Sequence, residues 1–188
     1  MTTDSTSNSE NNDLPTAPNT MLTPFIQGLI DNYRIRQLNV INDAMNIDDA
    51  HSIWFDLPTL KKFIADIEAE TQKVDTAITE SNLGVRFHYA AYPRIEDWDQ
   101  MADQPIVQEY AGKHTLVMIP TLKIEDENGE MLNYDFNPMD SATYSNTDIV
   151  EKDADVMALS ARGGVGGSSI AQNHGQLIPP SNSKVERF

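Results

Sequence analysis

Residues 83–138 alternate in a way that only extended chain satisfies. Leu83, Val85, Phe87, Tyr89 and Ala91 fall on one face of a first run, and Gly84, Arg86, His88, Ala90 and Tyr92 on the other. Period two with aromatic and β-branched residues predicts a half-buried strand. Pro93 ends it, having no N–H to give. A second run, residues 114–125, places Leu116, Met118, Leu122 and Ile124 on one side and Thr115, Val117, Ile119 and Thr121 on the other. Pro120 lies inside that run and implies a bulge or a free edge there. Asn128-Gly129 then predicts a type I′ hairpin, because both central residues of that turn take positive φ. Residues 131–136 form the return strand, with Leu132, Tyr134 and Phe136 on one face.

What precedes this block reads as helices able to cover a sheet. Thr23-Pro24 supplies a hydroxyl N-cap followed by proline in the first turn. Ile26, Leu29, Ile30, Tyr33, Gln37, Val40 and Ile41 then follow at largely helical spacing, which predicts a helix to about Asn46. Residues 52–55 are short and apolar and suit a first strand. A second helix starts at Asp56-Leu57-Pro58, with the stripe Leu60, Phe63, Ile64, Ile67, Thr71 and Val74. Strand, helix, strand over residues 53–92 is compatible with a right-handed crossover if the two strands are parallel neighbours. Residues 94–112 suit one or two short helical turns broken near Pro105, a long insertion able to overhang a site.

The expected class is α+β: a mainly antiparallel sheet of three to four strands with two amphipathic helices packed on one face. Residues 22–160 form the single domain. Residues 1–21 are polar and acidic, hold no Lys or Arg, and bury too little apolar surface to offset ordering entropy. They are expected to be a disordered tail. A last helix is expected over residues 146–161. Residues 161–188 are Gly- and Pro-rich and read as a flexible C-terminal segment.

Composition narrows the function classes. With no Cys, neither a disulfide framework nor a thiolate metal site is possible. No apolar run approaches a membrane span, and the N-terminus lacks the basic start and apolar middle of a signal peptide. A cytoplasmic protein is expected. The formal charge of −16 repels phosphate backbones and disfavours ordinary nucleic-acid binding. Residues 125–155 hold ten acids against one base, Lys152, and carry the densest negative field.

Candidate chemistry is sparse. The run Gly163-Gly164-Val165-Gly166-Gly167-Ser168-Ser169 lacks the Lys of a phosphate-binding loop, and no nucleophile elbow is present. Counted from Asp126, Gly129 is fourth and Asn137 twelfth, where a calcium loop needs Gly at six and a carboxylate at twelve. His51, His88, His114 and His174 do not take the i, i+4 spacing of a helical zinc motif. No metal site and no cofactor are expected. His88 lies mid-strand, two residues from Arg86, where a neighbouring strand can bring Tyr134 or Asp135 to it. Arg86, His88 and Asp135 are therefore the candidate site, with His174 a further candidate.

Trp54-Phe55-x-Leu57, then Gly84-Val85-Arg86-Phe87-His88-Tyr89 through Tyr92-Pro93, then Ile119-Pro120-Thr121, resemble a group of small uncharacterised bacterial proteins. The resemblance covers about residues 52–121 and extends to Asn173-His174-Gly175. It implies a bacterial cytosolic origin and a role for 173–175 beyond that of tail, and it transfers no catalytic residue, cofactor or substrate. Three functions follow as expectations. The first is a non-enzymatic interaction or accessory protein that binds a basic partner. The second is a small-molecule or metal-dependent enzyme using the polar sheet face around Arg86 and His88. The third is a nucleic-acid mimic.

Overall fold

The structure, a computed structural model, describes residues 20–145, 168–181, 184 and 186. The expected tail up to residue 19, the expected helix at 146–161 and the Gly163 to Gly167 run lie outside the described residues. The chain is α+β, with three α-helices and five strands in two antiparallel sheets among the described residues.

The first helical stretch is α1 (Thr23–Tyr33), a π-helical turn (Arg34–Leu38) and α2 (Asn39–Met45). The N-cap is Leu22 rather than Thr23, and no side chain caps it. Proline in the first turn already removes one orphan donor, and Leu22 O takes the N–H groups of Phe25 and Ile26. Asn46 ends α2 in the left-handed region at φ 52° and returns its N–H to Asn42 O. The π turn changes which residues face inward. Helical spacing from Tyr33 predicts Gln37, Val40 and Ile41. Adding one residue to the turn advances the set to Leu38, Ile41 and Asn42. Leu38 is buried, Ile41 and Asn42 are half-buried, and Gln37 and Val40 are exposed.

Helix α3 (Leu57–Val74) starts as its sequence dictates: Asp56 accepts from Thr59 N at 2.8 Å and Thr59 Oγ1 at 2.7 Å, and Pro58 sits in the first turn. The side-chain and then the backbone bond from Thr59 hold the Asp56 carboxyl below its usual range. A depressed folded value gives stability that is complete above the unfolded pKa and lost as pH falls through the folded one. Asp56→Ala is therefore expected to lower the melting temperature at neutral pH, with the gap to wild type closing on acidification. Thermal melts of both proteins between neutral and acid pH check this, and a gap that widens with acid refutes it.

Strands β2 (Leu83–Ala91), β3 (His114–Glu125) and β4 (Met131–Asp135) form an antiparallel meander in the order β2-β3-β4. Leu83 pairs with Leu122 and Ala91 with His114, while Leu122 pairs with Tyr134. One face thus gathers Leu83, Val85, Pro120, Met118 and Leu122, and α3 lays Phe63 and Ile67 on it, with Phe136 at the centre. Phe87 and Tyr89 share that face yet stay exposed, because the core contact of α3 is with the Leu83–Leu122 end.

At Pro120 the free-edge alternative is the one the structure takes, and at the hairpin the expectation is corrected. No bulge forms at Pro120, since the β2–β3 register is unbroken from Leu83 to Ala91. Pro120 instead sits where the other neighbour of β3 changes. Met118 exchanges both backbone hydrogen bonds with Gln172, and Pro120 O accepts from Phe136 N. The missing N–H faces the gap between those partners. The hairpin is not type I′ either. Asn128 does not take positive φ; only Gly129 does, at 82°. Asp126 O accepts from Gly129 N, and Asp126 N donates to Glu130 O, which makes a three-residue loop closed by a left-handed Gly. The Asp126 carboxylate selects this wider turn by accepting from Asn128 N at 2.9 Å and Glu130 N at 2.7 Å.

Strand β1 (Ser52–Trp54) does not join β2, so the conditional crossover is absent. It pairs antiparallel with β5 (Gln176–Ile178), Ser52 opposite Ile178 and Trp54 opposite Gln176. The segment 170–178 therefore folds back. Ile170 packs on the α3 core, and Leu177 is fully buried with Ala50 and Tyr92 in a second core. The insertion between β2 and β3 forms 3₁₀ turns at Ile95–Met101 and Gln108–Tyr110, and its Trp98, Met101, Ile106 and Tyr110 close that second core.

Candidate functional site

The structure brings Arg86, His88 and Asp135 together. On the sheet face turned away from α3, Asp135 reaches across β3 to β2. Arg86 Nη1 is ion-paired with Asp135 Oδ1, Arg86 Nη2 donates to Asn133 O at 2.6 Å, and His88 Nε2 lies 3.2 Å from Asp135 Oδ2. Thr121, opposite Asp135 and Gly84, is the buried floor that separates the two strands. A Cβ on Gly84 would lie 2.8 Å from Thr121 Oγ1, so a bare backbone is needed where the side chains cross. The cluster is open: Arg86 and His88 side chains are 43% and 44% exposed. An ion pair so exposed contributes about 0–1 kcal/mol. Arg86 and His88 direct their polar atoms at Asp135 and Asn133 rather than at a recess. His174 stands apart, exposed on the C-terminal segment between Asn173, whose O accepts from Tyr92 Oη at 3.1 Å, and buried Gly175.

A second constellation escaped the sequence reading. A recess of about 310 Å³ lies between the end of α1, strand β1 and the first half of β3, walled by Tyr33, His51, Ile53, Tyr89, His114 and Leu116. Each imidazole is held by a carboxylate. Asp49, fully buried, accepts from Ala50 N at 2.8 Å, His114 N at 2.7 Å and His114 Nδ1. His51 Nε2 lies 2.7 Å from Glu186 Oε2, and Glu186 also accepts from Ser52 Oγ and from Arg34 Nη2 at 3.3 Å. Burial opposes ionisation of Glu186, but the Ser52 and His51 hydrogen bonds and the charges of His51 and Arg34 outweigh it, and its carboxyl is held below the usual range. The Tyr33 hydroxyl is raised above its ordinary value, first by burial and then by the charge of Asp49 and by Tyr89.

Sequence spacing gave this site away only faintly. Asp48-Asp49 reads as a helix break, and His51 and His114 are separated by the whole of α3 and β2. The pairing of Ala91 with His114 and of Ser52 with Ile178 is what brings them to one recess. No group of three or more His, Asp or Glu side chains suited to a metal ion occurs among the described residues. No helix among them is long and apolar enough to cross a membrane. Comparisons with protein-family models, curated proteins and solved structures found no match to this chain.

Proposed function

We propose that this protein is a non-enzymatic interaction or accessory protein, bacterial and cytoplasmic, that engages a partner with a basic surface. The observation that carries the reading is the acidic β3–β4 edge. Glu125, Asp126, Glu127, Glu130, Asp135 and Asp140 follow one another with no Lys or Arg from residue 124 to 145. Glu127 and Glu130 are exposed at the tip. Hydrogen bonding, led by the backbone N–H of Glu130, keeps Asp126 ionised below the usual carboxylate range. A rigid turn that holds one sign of charge steers a basic partner and fixes its register. The lack of Cys suits a reducing compartment. The Arg86–His88–Asp135 face supports an enzyme less well, since its three side chains satisfy one another.

The reading expects a partner recovered from bacterial lysate at about 0.05 M salt to be basic and to be lost at about 0.5 M. Glu127→Lys combined with Glu130→Lys should weaken the purified pair about tenfold or more, mainly through slower association. A partner that binds the double variant as well as wild type, at either salt concentration, refutes the proposal.

A further inference from the structure

A surface helix ordinarily turns its apolar side inward and its charged side to solvent. Helix α1 departs from this. None of its eleven residues is buried. On a helical wheel Phe25, Gly28, Leu29 and Asn32 share one side, and all four are exposed. Ile26, Gln27, Ile30, Asp31 and Tyr33 make up the other side and are half-buried. Leu29, which spacing assigns to the covering stripe, is therefore on the open side. Met21 and Leu22, just ahead of the helix, extend the open apolar surface. The exposed fractions are 53% for Met21, 79% for Leu22, 57% for Phe25 and 50% for Leu29. At roughly 200 Å² for a large side chain standing free, those fractions leave about 500 Å² of apolar surface on one stretch of chain. A patch of that size marks an interaction surface.

We propose that two copies of this chain pair through this face, α1 against α1, about a two-fold axis. Area permits it: a pair covering the patch on both copies buries about 1,000 Å², the lower bound for a specific interface. Charge selects the occupant. Each copy carries −16, so two copies repel over most of their surface. Residues 20–30 contain no charged side chain. Asp31, the next acid, is half-buried and accepts from Gln27 Nε2 at 3.0 Å. A second copy can meet this face without setting carboxylate against carboxylate, whereas a basic partner finds no acid on it to pair with. The partner proposed above uses the β3–β4 edge and takes no part here. Gly28 points the same way. Glycine inside a helix is destabilising relative to alanine, and a Cβ at Gly28 would meet nothing within 4 Å in this chain. The fold itself does not need the space, but a helix crossing closely at that point does.

Sedimentation velocity on the full chain across the micromolar range tests the pairing. Wild type is expected to approach twice the chain mass as concentration rises. The association should hold or tighten at about 0.5 M salt, since salt screens the repulsion between copies and leaves apolar contact intact. Leu29→Glu places a charge in the face and should raise the dissociation constant about tenfold or more. Gly28→Gln adds an uncharged side chain where the single chain has room. It should weaken the dimer to a similar degree, while the diluted monomer melts no lower than wild type. The proposal is overturned if wild type stays monomeric throughout the range, which would leave the face to residues 1–19 or to a different protein. It is overturned equally if the dimer dissociates at about 0.5 M salt, or if either folded variant associates as tightly as wild type. Should Leu29→Glu fail to fold, Gly28→Gln and the wild-type measurements decide.

Discussion

Gly175→Val is expected to destabilise the protein by roughly 3 kcal/mol or to detach segment 170–178 outright. Gly175 is buried, and its φ is one that any residue accepts, so the demand is for space alone. A Cβ there would lie 2.3 Å from Ile53 Cγ2 and 2.7 Å and 2.8 Å from Phe55 Cζ and Cε2. Neither neighbour can yield easily. Ile53 is paired opposite Leu177, and Phe55 is wedged against the α3 core. Valine adds two methyl groups to a contact already closed, so it should cost more than Gly175→Ala. Urea unfolding measures the loss. Amide hydrogen exchange locates it, since the N–H groups of Met118 and His51 donate to Gln172 O and Ile178 O. A variant with the wild-type midpoint and full protection at those two amides would show that the segment is not held as described.

Phe136→Ala should cost about 3–5 kcal/mol, a large share of the roughly 5–15 kcal/mol that stabilises an ordinary domain. Phe136 has no exposed surface and fills the space between Phe63, Ile67, Met118 and Leu122. Its ring also meets Tyr144 edge-on, with centroids 5.3 Å apart and planes at 87°. That geometry adds about 0.5–1.5 kcal/mol to simple burial. Tyr144→Phe keeps the ring contact and loses the hydroxyl, which donates to Pro138 O at 2.7 Å and also lies against the Thr71 side chain, so its cost should be nearer 1 kcal/mol. Equal losses for the two variants in denaturant melts would place the core elsewhere.

The meander, the long helices and the α+β class were legible because each rests on a repeating pattern within one stretch of chain. Alternation from Leu83 to Ala91 and the stripe Phe63, Ile67, Thr71 need no distant information. Local side-chain chemistry overrode pattern at the hairpin, where the Asp126 carboxylate chose a wider turn than Asn128-Gly129 suggests by itself. One extra residue in the π turn re-aimed the end of the first helix, which average spacing cannot reveal. The candidate site divides the same way. Arg86 and His88 were visible as neighbours on one strand face, and Asp135 followed from the strand order. Asp49 with His114, and His51 with Glu186, join residues whose proximity depends on a three-residue sheet with no periodic signal of its own.

The pairing of Ser52 with Ile178 also sets a schedule for biosynthesis. Strand β1 emerges from the ribosome early and has no sheet partner until β5 follows it out. Ala50 and Tyr92 must wait for Leu177 before their core can close. Nascent chains stalled before that point should therefore carry a finished meander beside an open apolar seam, the state most open to chaperone capture. Emergence of β5 would be the step that seals it.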